Sequence, residues 1–186
     1  MRALSLTPPW PWAILHCGKR IENRQRWNGC NYRGELALHA SGLPGTLPTF
    51  FRHADDPGYQ ATQRQADDLG EFQDTCRDCI DIAHKSGVDF GERKITPRYI
   101  AGMAGHIVGL AEIVGVVEPG GEWVWASRSG SVRDLTPTER RWWQGGFALL
   151  LSDVRPLSEP VPCKGALGLW RVPAEVETEV RLRAGQ

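Results

Sequence analysis
The chain alternates between short β-type patterns and stretches of helical spacing. Leu4-Ser5-Leu6 predicts a short strand. Thr7 followed by Pro8 reads as a helix N-cap with proline at the first helical position. Trp10, Ala13, Ile14 and Cys17 then recur at helical spacing until Gly18, which places a first helix over about residues 8–17. Lys19 to Arg26 is polar, with Ile21 as its apolar anchor, and predicts a loop or an edge segment. Asn28-Gly29 is a turn signal. Glu35 to Ala40 is apolar enough for a buried strand, and Gly42 to Pro48 reads as loop.

Between residues 58 and 86 the period changes. Leu69, Phe72, Cys76, Cys79, Ile80 and Ala83 fall on one helical face with acids between them, an amphipathic helix that stops near Gly87. The stretch from about 44 to 96 is therefore expected to be a helical insertion between strands. After Pro97 the β signal returns. His106 to Val117 is rich in β-branched residues, with Gly109 and Gly115 as expected bulges or bends. Thr136-Pro137-Thr138-Glu139 is a capping box opening a short helix through Trp143, ended by Gly145-Gly146. Phe147 to Leu151 predicts a strand, the three prolines of Pro156 to Pro162 an extended connection, and Leu167 to Val172 a last strand. The charged tail from Ala174, residues 174–186, is expected to be helical or frayed. Five or six short strands with flanking helices make an α+β domain over residues 1–173. A small closed or nearly closed barrel is the expected arrangement, because closure removes exposed edges.

Composition narrows the class. The 186 residues suit one domain, and 41% hydrophobic with 24% charged residues is ordinary for a globular protein. No run of about 18 apolar residues is present, so no membrane span is expected. The opening apolar stretch is too short for a signal peptide, and a cytoplasmic protein is expected. Five cysteines, an odd number, argue against a disulfide framework. Net charge is zero, but its distribution is uneven. From Lys19 to Arg33 five basic residues face one acid, whereas from Asp55 to Glu92 ten acids face three bases. Such asymmetry can localise an anionic ligand although the total is zero.

Three stretches together are similar to the ASCH (activating-signal-cointegrator homology) family, a branch of the PUA-like fold. The first runs from Pro9-Trp10-Pro11-Trp12 into Gly18-Lys19-Arg20-Ile21-Glu22-Asn23-Arg24, where the family carries glycine, lysine and then glutamate three residues on. The second is Tyr32 to Ser41. The third combines Gly105 to Gly109 with Lys164 to Trp170. The resemblance covers roughly residues 1–43 and 97–173, leaving the insertion and the tail outside. It implies a PUA-like β-barrel with a cleft beside the first helix, lined by Lys19 to Arg24. It also implies an RNA, single-stranded nucleic acid or modified nucleoside partner. Some small members resemble hydrolases that deacylate N4-acylated cytidine with a lysine and a threonine three residues later. Another member acts as a ribonuclease. Here Glu22 stands in threonine's place.

Within that cleft Lys19 suits phosphate binding as a point charge, or base catalysis if deprotonated. Glu22 suits pairing with Lys19 or Arg24, or accepting a hydrogen bond from a cytosine N4 amine. Lys19 and Glu22 are thus the catalytic pair if the chain is an enzyme. Asn23 and Arg24 suit a base edge or a phosphate, Trp10 a stacking wall, and His39 and Ser41 end the next strand within expected reach. Trp123, Trp125, Trp142 and Trp143 flank Arg128, Arg133, Arg140 and Arg141, a pattern that suits single-stranded nucleic acid. Cys76-Arg77-Asp78-Cys79 with His84 offers three zinc-ligand types but no second cysteine pair, so core packing is the expected role and no metal or other cofactor is expected. No phosphate loop or nucleophile elbow occurs. Three functions follow in order: a reader of RNA or a modified nucleotide, a hydrolase of acylated cytidine or RNA, and an adaptor that binds a protein through the acidic residues 50–92.

Overall fold
A computed structural model describes residues 1–26, 32–91, 95–120, 123–124 and 134–185. The elements run β1 (Arg2–Leu6), α1 (Trp10–His16), β2 (Ile21–Arg24), β3 (Gly34–Ala40), α2 (Leu47–His53), α3 (Gln63–Lys85) and α4 (Pro97–Ala101). There follow β4 (His106–Val117), β5 (Trp123–Val124), α5 (Pro137–Trp142), β6 (Phe147–Pro162), β7 (Leu169–Arg171) and α6 (Ala174–Ala184). The class is α+β. One curled sheet carries the strand path β2-β6-β4-β3-β1-β7, with β5 paired to β4 off that path. β1 and β3 run parallel, so the chain between them crosses over through α1 and β2, while the other pairs are antiparallel.

The expected closed or nearly closed barrel takes the form of a curled half-barrel. Among the described residues β2 and β7 end the path without pairing to each other. Closure is replaced by cover on both faces. Alternation along β1 and β3 sends Leu4, Leu6, Leu36, Leu38 and Ala40 into one core with α1 and α3, and Ala3 and Ala37 into a second core with α6. Each of the leucines, fully buried, contributes about 2 kcal/mol of transfer free energy. Val180 of α6 is completely buried in the second core, so the charged tail forms a helix that closes the sheet's far face.

Local signals explain most elements. The Thr136 hydroxyl accepts from the Glu139 amide while the Glu139 carboxylate accepts from the Thr136 amide, the expected capping box. Thr62 and Gln65 form a second one at the start of α3. The β4–β6 register shifts beside Gly109 and again beside Gly115. A Cβ at Gly109 would stand 2.8 Å from the Arg155 carbonyl and press on Leu15, so the bulge lets α1 approach the sheet. Two expectations are corrected. The loop assigned from Gly42 to Pro48 ends in α2, which starts at Leu47. The connection from Pro156 to Pro162 is the second half of a sixteen-residue β6. That half pairs with β4 alone, so prolines lacking N–H groups lose no ladder bond on the other side. The turn expected at Asn28-Gly29 lies outside the described residues.

Candidate functional site
Gly18 leaves α1 with φ +69°, a left-handed conformation that suits glycine, and turns the chain toward β2. The turn drives Lys19 inward. Its side chain is 1% exposed. The ammonium donates to the Ile21 carbonyl, lies 3.2 Å from Glu22 Oε2 and stands 5.5 Å from the centre of the Trp10 ring. Two of the three contacts are hydrogen-bond acceptors, and the third is the face of an aromatic ring. Glu22, two strand positions before Arg24 and so on the same face, places Oε1 3.7 Å from Arg24 Nη2. One carboxylate therefore lies between two cations, Lys19 buried and Arg24 partly exposed.

Arg24 is incompletely satisfied. Among the described residues its Nε and Nη2 are buried without a hydrogen-bond partner. These two nitrogens form one edge of the guanidinium fork, the edge that grips a carboxylate or phosphate with two parallel bonds. A buried donor left unpaired costs about 1–3 kcal/mol.

The structure brings Trp10, Lys19, Glu22 and Arg24 together and places the other expected site residues elsewhere. Asn23 points to the opposite side of β2, where its amide donates to the Trp142 carbonyl at 2.9 Å and accepts from the Gln144 amide at 3.1 Å, tying β2 to the end of α5. His39 shares the second face of the sheet with Ala37. It lies 3.1 Å from the Ser5 hydroxyl and 2.9 Å from the Cys163 carbonyl, with Trp170 edge-on at 5.6 Å. Burial is the main influence holding its imidazole below the ordinary histidine range. The Ser41 amide bonds to the Leu6 carbonyl, and its hydroxyl lies 3.4 Å from the Gly42 carbonyl. Strand alternation thus separates His39 from Lys19, and the expectation that both face one cleft is corrected.

Helix α3 lies over the same region. Phe72, Cys76, Cys79 and Ala83 turn into the first core, and the Lys19 charge is felt at the Cys79 thiol. After α3 the chain stays against α1: Val88 faces Gly18 and Phe90 stacks on Trp12 at 5.9 Å. Arg141 holds the C-terminal end of α3, donating to the Lys85 carbonyl at 2.8 Å. Desolvation pushes the Cys76 and Cys79 thiols up to about 12. His84 is exposed while both cysteines are buried, and among the described residues no group of three metal-ligating side chains stands together. The outer face of α3 carries the acids of the proposed adaptor surface, where Asp74 pairs with Arg77.

Trp142, expected beside a nucleic-acid surface, is 4% exposed and belongs to the core, while the Trp143 indole donates to the Gly146 carbonyl. Trp125, Arg128, Arg133 and the Trp123 side chain lie outside the described residues. A feature without a sequence signal is a pocket of about 280 Å³ between the start of α1 and α3, with Trp10, Asp68, Glu71 and Phe72 in its wall. Its residues are some sixty positions apart, so no motif joins them.

No protein-family model matches the chain, and no curated protein matches it.

Proposed function
We propose that this chain is an ASCH-type member of the PUA-like fold that binds RNA or a modified nucleotide through Trp10, Lys19, Glu22 and Arg24. The observation that carries the reading is the Arg24 edge. Among the described residues the Arg24 Nε and Nη2 make no hydrogen bond, and Nη2 has only the 3.7 Å ion pair with a carboxylate already shared with Lys19, so an incoming oxyanion gains two charge-assisted bonds at that edge. A phosphate of a nucleotide or of an RNA strand has that shape. The curled sheet, the opening helix and the Gly-Lys-x-x-Glu order at the start of β2 support the family assignment. Within this reading the partner belongs to the cytoplasmic pool of RNA and nucleotides.

Binding is favoured over hydrolysis by one feature. General-base catalysis needs a lone pair on Lys19, and its ammonium instead donates to Ile21 and Glu22 and faces the Trp10 ring. The test is a titration of the pure protein with a fluorescent 12-nucleotide RNA and with nucleosides including N4-acetylcytidine, followed by mass spectrometry after hours of incubation. Saturable binding with the ligand mass unchanged is expected. A shortened RNA or loss of the acetyl group would replace the reading with a hydrolase, and no binding to any of these ligands would end it.

A further inference from the structure
The pocket between α1 and α3 differs in charge from the Lys19 cluster, with which it shares Trp10. Pro9 and Trp10 supply one wall from the start of α1, and Asp68, Glu71, Phe72 and Thr75 supply the other from α3. Its volume of about 280 Å³ is at the small end for ligand sites. Among the described residues no basic side chain lines it. The Lys19 ammonium stands over the Trp10 ring at 5.5 Å from its centre, with its charge met by Glu22.

The two carboxylates have different roles. Asp68 Oδ2 accepts from the Thr46 amide and hydroxyl, both at 2.7 Å, and clasps the loop before α2 to α3. Those bonds hold the Asp68 carboxyl below the usual carboxylate range, so it is ionised at neutral pH. Gly45 makes the clasp feasible, because a Cβ there would collide with the Asp68 carboxylate. Glu71, one helical turn further on, is exposed and has no hydrogen bond or ion pair through its carboxylate among the described residues. A concave site with an indole, a phenyl ring, prolines and two carboxylates fits an organic cation: the rings attract it through their negative faces and the carboxylates set the sign of the charge.

We propose that this pocket binds a small free organic ammonium ion, of quaternary or primary amine type, between Trp10, Phe72 and Glu71. The site shares Trp10 with the RNA reading but is set apart by its carboxylates, where that reading uses cations, and its test contains no RNA. Its test is calorimetric titration of the full chain with choline and, separately, with 3,3-dimethylbutan-1-ol, which has the same shape without the charge. Choline is expected to bind saturably in the millimolar range, as one aromatic cation contact allows, and the neutral alcohol not to bind. Glu71→Gln, at an exposed helix position where thermal unfolding checks that the fold is intact, is expected to weaken choline about fivefold. Equal binding of choline and the alcohol would make the pocket merely apolar and overturn the proposal. So would choline binding that is indifferent to Glu71→Gln, or a titration with no saturation. Each of these results stands whether or not the protein binds RNA.

Discussion

Removing Lys19 would leave the Glu22 carboxylate buried with only the 3.7 Å approach of Arg24. Breaking a buried pair from one side costs about 3 kcal/mol, so Lys19→Ala is expected to lower stability by that amount in urea denaturation, and Lys19→Ala with Glu22→Ala together by less than the sum of the singles. A double variant no better than additive would mean the pair is not coupled. His39 gives a pH signature. Its folded-state affinity for protons lies below the ordinary value of 6.5, chiefly through burial. Folding therefore favours the neutral ring: that stability is present above 6.5 and is lost as pH falls through the lower folded-state value. Melting temperature is expected to drop between pH 7.5 and 5.5, with a shallower drop in His39→Asn, and an unchanged slope in the variant would contradict the assignment. At this scale the Lys19–Glu22–Arg24 cluster was legible because its members are contiguous and strand alternation puts Glu22 and Arg24 on one face. His39 was misplaced because a strand end says nothing about which face its side chain takes. Counting back to Ala37 and Leu38 against the two cores decides it.

Among the elements, α3 and α5 were the easiest to read, α3 from its periodicity and α5 from its capping box. Thr136→Ala removes the hydroxyl that holds the Glu139 amide and is expected to cost about 1 kcal/mol in chemical denaturation. No change would mean the short helix is held by its packing alone. Gly109→Ala tests the bulge in β4. Its methyl group would push on Leu15 and the Arg155 carbonyl, and overpacking of this kind costs about 1–3 kcal/mol. A neutral effect would show that α1 can retreat from the sheet. The length of β6 escaped sequence reading because Pro156, Pro160 and Pro162 are ordinarily strand breakers. They are accommodated because that half of the strand pairs on one side alone and its other edge meets α6, where Arg183 donates to the Pro160 carbonyl at 2.8 Å.

Across the whole molecule the sheet is a partition with different contents on its two faces. Helices α1 and α3 cover the face that holds the cation cluster, and α6 covers the face that holds His39. The choice between a closed barrel and a covered half-barrel was not legible, because strand count and alternation are compatible with both. What separates them is the lack of pairing between β2 and β7 and the burial of Val180 under α6. Cys17, Cys76 and Cys79 mark the α1–α3 seam, all buried, with desolvation raising each thiol. Peptide-resolved labelling with a thiol reagent at pH 8 is expected to modify Cys163 well before these three, and equal rates would mean that α3 does not stay closed over the site. The central claim is that Arg24 takes an oxyanion of the nucleic-acid backbone. The direct measurement is RNA affinity against salt concentration for the wild type and Arg24→Gln. Removal of one phosphate contact is expected to weaken binding at low salt and to reduce the slope of log affinity against log salt by about 1. An unchanged affinity and slope would contradict the account, because the Arg24 edge would then be facing something other than the ligand.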